Sequence, residues 1–94
     1  MTSRFALIDN HSGYVWGVTD AESAVDACRI MEEQIHEYGR EYVSVSGLAS
    51  NEPGYHVYRA PEGFDVDDGQ SEMDIARVSA LPRIDIIRAS RDVE

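Results

Sequence analysis

The chain has 94 residues, 43% of them hydrophobic, which suffices for one modest core and is too many for a disordered tail. Eighteen Asp and Glu against eight basic residues give a formal charge of −10, a field that repels DNA, RNA and anionic membranes and attracts basic proteins. No run approaches the roughly 20 apolar residues of a membrane helix, no basic-then-apolar leader is visible at Met1-Thr2-Ser3-Arg4-Phe5, and the single Cys28 has no partner for an internal disulfide. These features predict a single compact domain over residues 1–94 in the cytoplasm.

Phe5 to Asp9 reads as a buried strand, Asn10-His11-Ser12-Gly13 as a turn, and Tyr14 to Val18 as the return strand, with Tyr14, Trp16 and Val18 on one face. Thr19-Asp20-Ala21-Glu22 fits a capping box. Ala21, Ala24, Val25, Cys28, Met31, Ile35 and Tyr38 then recur at helical spacing until Gly39 stops the helix. Glu41 to Ser46 reads as a half-buried strand in which Val43 and Val45 alternate with Tyr42 and Ser44. Asn51 to Gly54 is a turn, and Tyr55 to Tyr58 a fourth strand. A loop rich in Gly and Asp runs from Pro61 to Gln70. Ser71 to Asp74 opens a short helix carrying Met73, Ala76 and Ala80, ended by Pro82, and Arg83 to Arg88 closes as a fifth strand. The order ββαββαβ predicts an α+β fold: a mainly antiparallel sheet with one long and one short helix packed on one face, the last strand able to insert in parallel.

Little in this pattern points to catalysis. His11, His36 and His56 fall in a turn, a helix and a strand at no metal-like spacing; His36 shares a helix face with Glu32, but two such groups make no site. Cys28 on the apolar stripe reads as core, not as a nucleophile. No nucleophile elbow, phosphate loop or dinucleotide fingerprint is present. Asp65-Val66-Asp67-Asp68-Gly69 looks like a calcium loop, yet aligning Gly69 puts Phe64 and Val66 where Asp is needed. The expectation is a protein with no enzymatic activity, cofactor or metal.

The acids themselves form two features. Glu62, Asp65, Asp67, Asp68, Glu72 and Asp74 crowd one segment and face no basic residue in sequence. Glu22, Asp26, Glu33 and Glu37 fall on one outer stripe of the long helix, interrupted by Arg29 and flanked by Glu32. Like charges at this interval cost a helix a few tenths of a kcal/mol each. They repeat every ~6 Å along the axis, against a phosphate every ~3.4 Å per strand of B-DNA, so the row forms a sparse imitation of a phosphate backbone. A solvated helix face is the plainer reading of the same charges.

Small size, −10 charge and no catalytic signature together resemble the profile of phage- and plasmid-encoded inhibitors, such as anti-CRISPR and anti-restriction proteins. No single motif carries that resemblance, and those proteins share no one fold. It implies an acidic inhibitor of a basic, nucleic-acid-handling protein or nucleoprotein complex, contacting neither nucleic acid nor membrane directly. Two alternatives stand beside it. One is an interaction module of a high-GC or halophilic host, binding through an aromatic sheet face (Tyr14 with Trp16, Tyr55 with Val57, or Tyr42 with Tyr58) or forming a homodimer by strand pairing, although Trp16 itself reads first as a core anchor under the long helix. The other is a small enzyme or weak divalent-cation binder.

Overall fold

The computed structural model describes residues 2–9, 12–36, 41–45, 54–67 and 70–89, the side chains of 33–36 and 89 excepted. Its elements are β1 (Ser3–Asp9), β2 (Val15–Ala21), α1 (Ala24–His36), β3 (Tyr42–Ser44), β4 (Tyr55–Ala60), α2 (Glu72–Ser79) and β5 (Arg83–Ala89). The strands form one five-stranded sheet in the order β2-β1-β4-β5-β3. Every neighbouring pair is antiparallel, β5 included, so the parallel insertion allowed by the sequence does not occur. The β1–β2 turn closes with the Gly13 amide donating to the Asp9 carbonyl at 2.8 Å, Gly13 at φ 79°. Gly54, at φ 131°, enters β4 where a Cβ would lie 2.7 Å from Arg88 Cγ and 2.9 Å from the Ile87 carbonyl; glycine alone fits there.

The two helices cover opposite faces of the sheet, which corrects the expectation of a single covered face. On one side α1 sets Ala24, Ala27, Cys28 and Met31 against Phe5, Leu7, Val57 and Ile87. On the other, α2 sets Val78 and Ile75 against Ala6, Ile8, Val15 and Tyr58. Alternate residues of β1 therefore enter different cores, and Phe5, Ala6, Leu7 and Ile8 are all buried. A strand buried on both faces cannot alternate; it must be apolar without interruption.

Four local expectations change for identifiable reasons. A bulge opposite Leu7 and Ile8 lets β2 fit one extra residue, so Trp16 packs with the α1 core while Val15 and Val18 face α2. Trp16 and Val18 thus lie on opposite faces, and Trp16 stacks on Tyr55 at 4.1 Å between ring centroids. Next, β2 runs on to Ala21, pairing Thr19 with Phe5 and Ala21 with Ser3, so Thr19 is no helix cap. Ser23 takes that role, its Oγ accepting the Asp26 amide at 3.1 Å. In β3 it is Tyr42 that is buried against α1, and Val43 lies half-buried, the reverse of the expected alternation. Finally, α2 turns Ile75 and Val78 to the sheet and leaves Met73, Ala76 and Ala80 exposed.

Candidate functional site

In the antiparallel sheet, β1 begins at the same end where β2 and β4 finish. Asp20, Glu22 and Glu62 therefore meet at one end although they come from distant segments, and all three are exposed. Arg4, opposite both Asp20 and Ala60, is turned to the chain's own groups: its Nη1 pairs with Asp20 Oδ1 at 3.1 Å and its Nε donates to the Phe64 carbonyl. That second contact folds the chain after β4 back over β1. An open groove of about 440 Å³ lies there, bounded by Arg4, Asp20, Arg59 and Glu62 with Thr2 and Ser3. The Arg59 guanidinium is 5.8 Å from the Phe5 ring centroid, resting its charge over an aromatic face.

Among the described residues from Glu62 to Asp74 the acids fall into two kinds. Asp65, Asp67 and Glu72 are exposed, like Glu62. Asp74 is different. It is 4% exposed, accepts the Asp67 amide at 2.9 Å and pairs with Arg77 at 2.9 Å. The sequence expectation that this cluster faces no basic residue is corrected at that point: Asp74 ties the loop to α2 and is closed to a partner. Arg77 also donates to the Asp65 carbonyl at 3.0 Å and lies 4.9 Å from the Phe64 ring centroid. Ser71 caps α2 by accepting the Asp74 amide at 3.1 Å.

The proposed row along the long helix is not assembled by the described residues. Glu22 precedes α1 instead of lying on it. Asp26 sits in the first turn, where its charge complements the helix dipole, and pairs with Arg29 at 3.4 Å. Glu37, Asp68 and the Glu33 side chain lie outside the described residues, as do His11 and the His36 side chain. Glu32, expected to flank the outer stripe, is buried at 1% exposure on the sheet side of α1. Its position one turn after Cys28 signals that face in hindsight.

Under α1, Cys28 is fully buried. Burial pushes its thiol well above the ordinary 9.0, and the carboxylates of Asp85 and Glu32 push it further. Such a thiol is no nucleophile at neutral pH. Because the folded state raises this pKa, the stabilising contribution is complete below 9.0 and is lost as pH rises above it. Stability should fall between about pH 9 and pH 10 by at most about 1.4 kcal/mol per unit, and Cys28→Ala should flatten that slope. Denaturant melts across this range check it; an equal slope in the variant contradicts a buried thiol. Asp85 itself accepts the Ser44 hydroxyl at 2.7 Å and the Ile86 amide at 2.8 Å, joining β3 to β5.

His56 is buried beside Arg83, Nδ1 to Nη1 3.5 Å, in a structural position. Among the described residues no three His, Cys, Asp or Glu are grouped to hold a metal ion, and no helix is long and apolar enough to cross a membrane. The chain matches no protein-family model, and neither a curated protein nor a solved structure is detectably similar to it.

Proposed function

We propose that the protein acts by binding, laying the acidic end of its sheet against a basic protein surface of the kind that otherwise holds nucleic acid, and so blocking it. The observation that carries this reading is the convergence of exposed Asp20 and Glu22 with exposed Glu62, Asp65 and Asp67. The neighbouring Arg4 and Arg77 are occupied by the chain's own carboxylates and carbonyls. Arg4 in turn neutralises Asp20, and exposed Arg59 borders the same groove, so Glu22, Glu62, Asp65 and Asp67 carry the negative field that would steer basic partners and repel polyanions. A compact, acidic presentation imitates the charge of nucleic acid without a regular phosphate spacing.

The edge strands offer the competing route, pairing with a second copy. Against it, β2 carries a bulge at Trp16 and a charged Asp20, devices that blunt an edge.

Capture from lysate of the producing cells at low and at high salt tests the proposal. Recovery of one basic nuclease or nucleic-acid-binding complex, released as salt rises, is expected. Recovery of a salt-insensitive partner, or of this chain alone, overturns it.

A further inference from the structure

The groove at the end of the sheet carries charges of both signs. Arg4 and Arg59 line it together with Asp20 and Glu62, and Thr2 and Ser3 border them. Arg4 and Asp20 are paired with each other at 3.1 Å. Arg59 and Glu62 are not. Both are exposed, and among the described residues neither side chain forms an ion pair or a hydrogen bond. The Phe5 ring holds the Arg59 guanidinium instead, 5.8 Å from its centroid, a contact that places the cation without matching it to a carboxylate. In a chain of eighteen acids and eight basic residues, no shortage of carboxylates explains a guanidinium left unmatched.

The balance of charges decides what this groove can take. A lone anion reaching Arg59 meets the fields of Glu62 and Asp20, and a lone cation reaching Glu62 meets those of Arg59 and Arg4. A ligand that carries both charges meets a partner for each. We infer that the groove binds a zwitterionic ligand, its carboxylate paired with the Arg59 guanidinium and its cation with Glu62. That is the chemistry of a free α-amino acid, or of a polypeptide ending in arginine or lysine. The guanidinium fork matches a carboxylate with two parallel N–H···O bonds. The groove's volume of about 440 Å³ falls within the range of small-ligand sites, ~300–1,000 Å³. This assignment stands apart from the blockade of a basic protein, because it requires an anion on the ligand and the blockade does not.

Four probes titrated into the protein test this while backbone amide shifts are followed. They are L-arginine, an acetylated tripeptide ending in arginine with a free carboxylate, the same tripeptide amidated, and inorganic phosphate. Saturable shifts at Ser3, Arg4, Arg59 and Glu62 are expected with a probe that carries both charges. A response to L-arginine alone assigns the free amino acid; a response to the carboxylate tripeptide assigns a chain terminus. The amidated tripeptide and phosphate should bind at least about tenfold more weakly, since each leaves one charged partner unmatched. Arg59→Gln and Glu62→Gln should each weaken binding of the responding probe by about tenfold. Both residues are exposed, so the variants should fold normally, which a thermal melt verifies. The absence of saturable shifts with L-arginine and with the carboxylate tripeptide overturns the assignment. So does phosphate or amidated tripeptide binding as tightly as either, or an affinity that Arg59→Gln or Glu62→Gln leaves unchanged. None of these results decides the basic-protein reading, which salt-dependent capture tests separately.

Discussion

Leu7→Ala should cost about 3–5 kcal/mol, among the largest losses expected of a single truncation in the sheet. Leu7 is fully buried and packs beneath α1 with Phe5, Val57 and Ile87. Removing its three terminal carbons leaves a cavity that neighbours from two strands and a helix cannot all collapse to fill. A chain of 94 residues holds roughly 5–10 kcal/mol in total, so the variant retains only a small remainder. At about 4–8 °C per kcal/mol for a domain this small, the melting temperature should drop by more than about 12 °C. A drop of only a few degrees would show that the α1 side is not the tightly packed core described.

Asp74→Ala is expected to cost about 1–3 kcal/mol, by a different mechanism. The substitution removes the acceptor of the Asp67 amide and the anion paired with Arg77 in a nearly buried place. Leaving the Asp67 amide without its acceptor costs more than the bond itself contributes, whereas Arg77, with its side chain 45% exposed, keeps the Asp65 carbonyl and loses little. Asp74→Asn keeps an acceptor for Asp67 and should cost about half as much. Hydrogen exchange gives the sharper reading: the Asp67 amide should lose protection in the alanine variant while amides of β1 and β4 change only with global stability. Unchanged protection at Asp67 would contradict the role assigned to Asp74.

Much of this fold was legible in the chain, and the misses have physical causes. The strand signals at Phe5–Asp9, Tyr55–Tyr58 and Arg83–Arg88 survive in the structure: the first is a short apolar run, the second lies between Gly54 and Pro61, and the third starts after Pro82 and carries Ile84, Ile86 and Ile87. The opposite-face helices were encoded as well, in the uninterrupted run Phe5-Ala6-Leu7-Ile8, whose lack of alternation requires cover on both sides. The helix start moved because two capping patterns compete within a few residues. Thr19 loses to Ser23 once β2 must continue to pair with the first residues of β1.

The site was less legible. Counting acids found the right segments but not their roles, since nothing in the local sequence says that Asp74 turns in and Glu72 out. The meeting of Glu22 with Glu62 depends on strand order, which a single sequence leaves open. Met73, Ala76 and Ala80 formed the visible apolar stripe of α2 and pointed to the core. The helix instead takes the register of Ile75 and Val78, whose β-branched side chains pack against the sheet.

Binding of a basic protein by the acidic end of the sheet is tested most directly by the affinity of the captured, purified partner for Glu22→Arg/Glu62→Arg. Both residues are exposed, so the doubly reversed chain should melt like the wild type, within about 1 kcal/mol. The variant should lose affinity by about a hundredfold or more, and the wild-type affinity should weaken steadily as salt screens the contact. A variant that binds as tightly as the wild type, with a wild-type affinity flat against salt, would contradict it.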